Sequence, residues 1–176
     1  SRLESGRETV AMDRIDFESL FVELRHELEV RKRGRGPEVR WTNHIGKRRL
    51  YGDRAKIKTI LRNLVGNAVK FTPSGSVDVV ADLEAERLVC TVADTGVGIE
   101  AKDLSSIFEM FRQVDASSTR AFEGVGLGLF IVKSLTEVLG GSVEVQSTPK
   151  VGSTFTVRIP IHVEGRDGPE ARHAAP

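Results

Sequence analysis

The chain has 176 residues, 39% hydrophobic and 29% charged, which suits one soluble globular domain better than two. Lys and Arg total 26 against 25 Asp and Glu, a net charge of +1, so charge gives no support to a general nucleic-acid or polyanion binder. The single cysteine, Cys90, rules out a disulfide framework and a thiolate zinc site, and no apolar run reaches the length of a membrane span. Glycine is the unusual count, 17 against 6 prolines, more than turns need, which points to backbone lying against a ligand.

Residues 1–15 have helix-compatible spacing at Leu3, Val10 and Met12 but cannot make a core alone. They read as the end of a helix from a longer chain. Asp16 is placed to cap a helix running to about Arg33, with Phe17, Leu20, Phe21, Leu24 and Leu28 on one face. Gly34, Gly36 and Pro37 end it. Alternation predicts a strand over 38–43, with Val39 and Trp41 on one side, and a second short strand around Leu50 and Tyr51. Asp53 caps a helix over 54–71, stopped by Pro73 and Gly75. Strands over 77–83 and 88–93 form a hairpin around 84–87, followed by the glycine turn DTGVGIE. A short helix is predicted over 101–108. The polar stretch 113–124, with Ser117, Ser118 and Thr119, is long for a loop in a compact domain, and loops of that length are often lids. A helix over 126–139 follows, with Leu127, Ile131, Leu135 and Val138 at core spacing, ended by Gly140 and Gly141. Strands over 143–146 and 154–159 close the fold, and 161–176 reads as a loose tail.

Three segments carry residues suited to chemistry. In LRNLVGNAVKFT, at 100° per residue, Asn63, Asn67 and Lys70 fall within about 60° of one another, beside the apolar stripe of Ile57, Ile60, Leu61, Leu64, Ala68 and Phe71. An amide oxygen suits Mg²⁺ and an ammonium suits a phosphate, although a solvated polar face explains the helix alone equally well. In DTGVGI, Gly96 and Gly98 permit positive φ and close approach of a flat ligand, and Asp94 leaves a carboxylate at the strand end. Gly96, Gly98 and Ala101 also fit the dinucleotide fingerprint, but that motif needs a parallel βαβ unit and an antiparallel hairpin precedes it here. In EGVGLGLFIVKSL, Gly124, Gly126 and Gly128 run into a helix N-terminus, whose free N–H groups make an anion site.

Taken in order, NLVGNAVKFT, DTGVGI, IFEMF, GVGLGL and GST resemble the ATP-binding catalytic domain of bacterial sensor histidine kinases, within the superfamily that includes Hsp90, gyrase and MutL. The resemblance covers about residues 1–160. It implies an α/β fold, a two-layer sandwich with a mixed sheet and helices on one face (the Bergerat-type ATP-binding fold), with ATP and Mg²⁺ as ligands. Residues 1–15 are then the remnant of a dimerisation helix, 16–160 the catalytic domain and 161–176 a tail. Carried over, Asn67 is the Mg²⁺ ligand, Asn63 lies near metal and phosphates, and Lys70 is a phosphate contact. Asp94 accepts from the adenine 6-amino group, with Gly96, Gly98 and Ile99 shaping the pocket and Phe71 flanking the nucleotide. Gly126, Leu127 and Gly128 offer N–H groups to phosphates, Thr154 helps hold adenine, Phe108 and Phe111 anchor the lid, and Arg112 or Arg120 supplies charge to it.

ATP-hydrolysing members of the superfamily carry a Glu where this chain has Asn63. An amide cannot act as a general base, so the resemblance implies transfer of the γ-phosphoryl group to a histidine rather than to water. That histidine belongs to a dimerisation domain, and a response regulator and a homodimeric full-length protein are the implied partners. The implied location is cytoplasmic, either free or as the inner part of a membrane-anchored receptor. The His26-Glu27-Leu28 triplet imitates a phosphoacceptor box but lies after the dimerisation-helix remnant, so His26 reads as a helix surface residue. The loop reads EGVGLGL where relatives often have GGTGLGL. Glu123 and Val125 therefore keep a second reading open, a degenerate nucleotide-binding module that regulates a partner without phosphotransfer.

Overall fold

The computed structural model describes residues 9–110 and 126–165. In chain order these form β1 (Asp13–Ile15), α1 (Phe17–Lys32), β2 (Glu38–Asn43), β3 (Leu50–Gly52), α2 (Arg54–Lys70), β4 (Ser76–Glu84), β5 (Arg87–Asp94), α3 (Gly128–Val138), β6 (Ser142–Thr148), β7 (Gly152–Pro160) and β8 (His162–Val163). The predicted lid over 113–124, with Phe111, Arg112, Glu123 and Val125, lies outside the described residues.

Five strands make the main sheet in the order β2-β4-β5-β7-β6, with β2 parallel to β4 and the other pairs antiparallel. Period-two alternation sends every second side chain to one face. The register lines up Trp41, Val79, Val92, Phe155 and Val145 in one row across it. Next to it runs a row of Val39, Val77, Asp94, Ser153 and Ser147. The apolar row is covered by helices: α1 lies against β2, α2 against β4 and β5, and α3 against β6 and β7. The result is a two-layer α/β fold with a mixed sheet and helices on one face, as the sequence implied. Asp94 thus stands on the helix-covered face, at the end of its strand.

Helix α1 begins where Asp16 accepts from the Ser19 N–H at 3.1 Å, and its buried stripe is the predicted one: Phe17, Leu20, Phe21, Leu24 and Leu28. Phe21 meets Phe17 and Trp41 edge-on at centroid distances of 5.5 and 5.1 Å. Each such buried side chain contributes about 1.5–3 kcal/mol. Glu23 pairs with Arg54 and Lys58, and Glu27 with Lys58 and Arg62, which fixes how α1 crosses α2. His26 is exposed on α1. Burial pushes the Cys90 thiol up to about 12, so it serves as a small apolar core residue. Among the described residues no helix is long and apolar enough to cross a membrane.

The structure departs from the sequence reading in four places. Residues 101–108 are successive turns rather than a helix, closed by N–H groups of Asp103, Ser106 and Glu109 onto carbonyls three residues back. The Ser106 hydroxyl also donates to the Asp103 carbonyl, the local competition that keeps Ser out of helices. Helix α3 starts at Gly128, because Gly126 has φ 71° and cannot be helical. Its fully buried residues are Val132 and Thr136, one position on from the predicted Ile131 and Leu135, and Val138 is exposed. Residues 13–15 are a strand rather than the end of a helix, and Ile15 is buried in the core. His162 and Val163 are also strand rather than loose tail.

These last two elements make a second sheet, β1-β3-β8, with β3 between its neighbours and antiparallel to both. Asp53, only 3% exposed, ties that sheet to α2. One oxygen accepts from the Lys56 N–H at 3.0 Å, the other from the Ala11 N–H and the Lys56 ammonium at 3.0 Å each. Burial raises the Asp53 pKa, but these hydrogen bonds outweigh it and hold it below the ordinary 3.8. A depressed folded pKa stabilises above the unfolded value and is lost as pH falls through the folded one. Asp53→Ala is therefore expected to cost about 1–2 kcal/mol at pH 7. Urea unfolding should show the gap to the parent closing below about pH 4.

Candidate functional site

Asn63 and Asn67 stand one turn apart on α2, on the side that meets α3. A Cβ built on Gly128 would lie 3.2 Å from the Asn63 Oδ1 and 3.6 Å from each terminal atom of the Asn67 amide. Both amides therefore face the first residue of α3, which approaches closely because it has no side chain. The Asn63 Nδ2 donates to the Thr59 carbonyl at 2.8 Å, which turns its oxygen toward Gly128. The first turn of α3 has no side-chain cap. Its free N–H groups and the positive end of the helix favour an anion beside the two amides. One turn on, the Lys70 ammonium lies 5.1 Å from the Phe71 ring centroid, and α2 ends with the Phe71 N–H on the Asn67 carbonyl.

The turn after β5 begins as Asp94 Oδ1 accepts from the Gly96 N–H at 2.9 Å. Gly96 admits no side chain, since a Cβ there would run into the Phe71 carbonyl oxygen. The Phe71 carbonyl in turn accepts from the Val97 N–H at 3.1 Å, so the end of α2 and the turn are one unit. Gly98 has φ 70° and its Cβ would strike the Thr148 carbonyl. The turn is tied to the hairpin of β6 and β7 through Lys150 N–H on Val97 O at 2.7 Å and Ile99 N–H on Ser147 Oγ at 2.8 Å. Ser147 and Ser153 hydroxyls meet at 2.8 Å. Burial pushes the Asp94 carboxyl above the ordinary 3.8, partly offset by the Gly96 and Ser153 N–H groups and the Thr72 hydroxyl. A carboxylate desolvated in this way has a strong pull on a hydrogen-bond donor from a ligand.

The structure brings Asn63, Asn67, Gly126, Leu127 and Gly128 together at one end, and Asp94, Gly96, Gly98 and Ile99 at the turn, with Lys70 and Phe71 closing α2. Phe108 packs edge-on against Phe155 at 6.3 Å. Thr154 is not brought in: it pairs with Ala93, on the opposite face of the sheet from Asp94. Ser153, the register partner of Asp94, lies on the Asp94 face, and with Ser147 and Thr72 it carries no motif that marks it in the sequence. A signal for Ser153 existed, because counting back by twos from the apolar Val157 and Phe155 reaches 153 and not 154.

Among the described residues no group of three or more His, Cys, Asp or Glu side chains is placed to hold a metal. Amide oxygens at Asn63 and Asn67 fit Mg²⁺ in the manner that needs few protein ligands, with phosphates and water filling the remaining positions.

Residues 52–163 match the family described as histidine kinase-, DNA gyrase B- and HSP90-like ATPase. The autoinducer 2 sensor kinase/phosphatase LuxQ of Vibrio parahaemolyticus is 38% identical over 168 residues, covering 92% of this chain and 20% of that protein. The sensor histidine kinase RcsC of Escherichia coli is 41% identical over 113 residues, covering 64% of this chain and 12% of its own. The chain thus spans a fifth or less of these two relatives. Among solved structures, full-length ShkA in complex with AMPPNP superposes with a TM-score of 0.80 at 31% identity, covering 92% of this chain and 34% of ShkA. The nucleotide-free catalytic domain of the histidine kinase ThkA superposes at 0.71 and 22% identity, covering 85% of this chain and 95% of that domain's chain, a likeness of fold alone.

Proposed function

Because this chain belongs to the histidine kinase-, DNA gyrase B- and HSP90-like ATPase family, we propose that it binds Mg·ATP and passes the γ-phosphoryl group to a histidine on a dimerisation domain. The observation that carries this reading is the meeting of Asn63 and Asn67 with Gly128 at the uncapped start of α3. Asp94 and the Ser153 backbone receive the base, with the carboxylate accepting from the 6-amino group. Gly126, Leu127 and Gly128 hold phosphate oxygens through N–H groups, and Lys70 adds a point charge. Asn67 would hold Mg²⁺ through its Oδ1, and that ion would supply charge neutralisation for the phosphates.

The side chains support a histidine as the nucleophile. Asn63 stands where a water-activating base would be needed, and an amide takes no proton at neutral pH. The imidazole needs only alignment: its nitrogen bonds to the γ-phosphorus as the bond to the bridging oxygen breaks, and ADP leaves. A response regulator is the proposed receiver of that group, and a homodimer in the cytoplasm the proposed setting.

The test is transfer of label from γ-labelled ATP. Mixed with a separately expressed histidine-bearing dimerisation domain, the chain is expected to produce an acid-labile phosphohistidine on that domain. Alone it is expected to carry no label, His26 included. Label on His26 in the isolated chain would overturn the second expectation. Tight Mg·ADP binding without any transfer would favour the regulatory-module reading.

A further inference from the structure

Thr72 comes just after Phe71, the residue that caps the end of α2, and is completely buried, at 0% exposure. Its methyl faces the Gly75 turn, where a Cβ on Gly75 would sit 3.7 Å from Cγ2. A β-branched side chain has few rotamers, so placing the methyl there fixes where the hydroxyl points. It points at Gly96: a Cβ built on that glycine would be 2.7 Å from Thr72 Oγ1 and 2.9 Å from Asp94 Oδ1. The hydroxyl and the carboxylate therefore converge on the same small volume, which stays open only because residue 96 is glycine. Thr72 Oγ1 is close enough to the Asp94 carboxylate to favour its ionised form, yet it completes no hydrogen bond of ordinary geometry, which is rare for a buried hydroxyl and costly unless the group has a use.

We infer that Thr72 is a positioning residue for base recognition: its hydroxyl donates to the Asp94 carboxylate when that carboxylate accepts from an exocyclic amino group, and so fixes which oxygen faces the base. The inference rests on the reading of Asp94 as the adenine acceptor. It adds a specificity determinant at the end of α2, the same helix that carries the amide pair. Through one residue of separation, Phe71, the base end and the phosphate end of the site are joined on one rigid element.

The test separates base recognition from general binding. Mg·ADP and Mg·IDP differ at the 6 position, amino against carbonyl, and their Kd values are measured by calorimetry for the full chain. Thr72→Val keeps the volume and removes the hydroxyl, Thr72→Ala removes it without a buried branch, and Thr72→Ser keeps it. The preference for ADP over IDP is expected to fall about tenfold in Thr72→Val and Thr72→Ala and to stay within about twofold of the parent in Thr72→Ser. An unchanged preference in both hydroxyl-free variants overturns the inference, and so does an equal loss for both nucleotides, the mark of a merely structural residue. Asp94→Asn is run beside them. If it abolishes the preference while Thr72→Val does not, the base reading stands and the role of Thr72 falls. If Asp94→Asn also leaves the preference intact, the base reading itself is wrong.

Discussion

Asp94→Asn is expected to weaken Mg·ADP binding by about 2–3 kcal/mol, roughly 30- to 150-fold in Kd. The carboxylate already accepts from the Gly96 N–H at 2.9 Å and is drawn on by the Ser153 N–H. An ionised group has acceptor capacity left for an amino group from the base. The amide has one oxygen, and with that oxygen held by the backbone its NH₂ faces the base, donor against donor. Stability should move the other way. The folded pKa of Asp94 is raised by burial, so above the unfolded value the ionised form opposes folding. Asp94→Asn should therefore unfold in urea no earlier than the parent at pH 7. Affinity lost at unchanged or higher stability is the signature of a group kept for binding. Calorimetric binding within threefold of the parent would remove Asp94 from the site.

Gly152→Ala should have the largest effect on the fold. Gly152 is buried at φ 142°, and its Cβ would be driven into the Asp94 carbonyl oxygen, with the Asp94 carbonyl carbon at 2.9 Å and the Thr95 Cα at 3.0 Å. All three are backbone atoms, so no side chain can swing away. The pairing of β7 with β5 must part at the very residues, Asp94 and Ser153, that face each other in the site. The strained dihedral and the overpacking together are expected to cost about 3 kcal/mol or more. A shift of the urea midpoint at constant slope is the measurement, and nucleotide binding should fall even at temperatures where the variant is folded. An unshifted midpoint would show that the hairpin yields more easily than its geometry allows.

What the sequence made legible follows from period. Five apolar positions at helical spacing placed α1, alternation placed β2, and two apolar runs on either side of 84–87 placed the hairpin of β4 and β5. The amide pair on α2 was visible beside the apolar stripe of its helix, and the aspartate before the glycine turn as the polar end of an apolar strand. Short elements lack a period. The strands Asp13–Ile15 and His162–Val163 are held by a distant partner, β3, and nothing local marks them. The glycines of GVGLGL are good loop formers, so where α3 starts is decided by φ at Gly126 and by contact with α2, both tertiary facts. Thr154 fits the motif, and the fold sets it on the face opposite Asp94. On a strand one residue is the other side of the sheet, and only the register with β5 decides it.

The small sheet has a mechanical meaning. Strands β1 and β8 flank β3 and run in the same direction, since each is antiparallel to it. The chain enters β1 level with Gly52 and leaves β8 level with Leu50, so its two ends emerge from opposite ends of the ribbon. A pull along the polypeptide would then load both ladders in shear, all hydrogen bonds at once, instead of peeling them one at a time. The Ala11 N–H on buried Asp53 and the Glu164 N–H on the Arg49 carbonyl lie just beyond the ladders and share that load. Forced unfolding is governed by the unfolding rate, and a sheared ribbon resists it far better than an unzipped one. Traction on the chain before β1 and after β8 would thus be borne by β3 while the proposed nucleotide site, across α2, is spared.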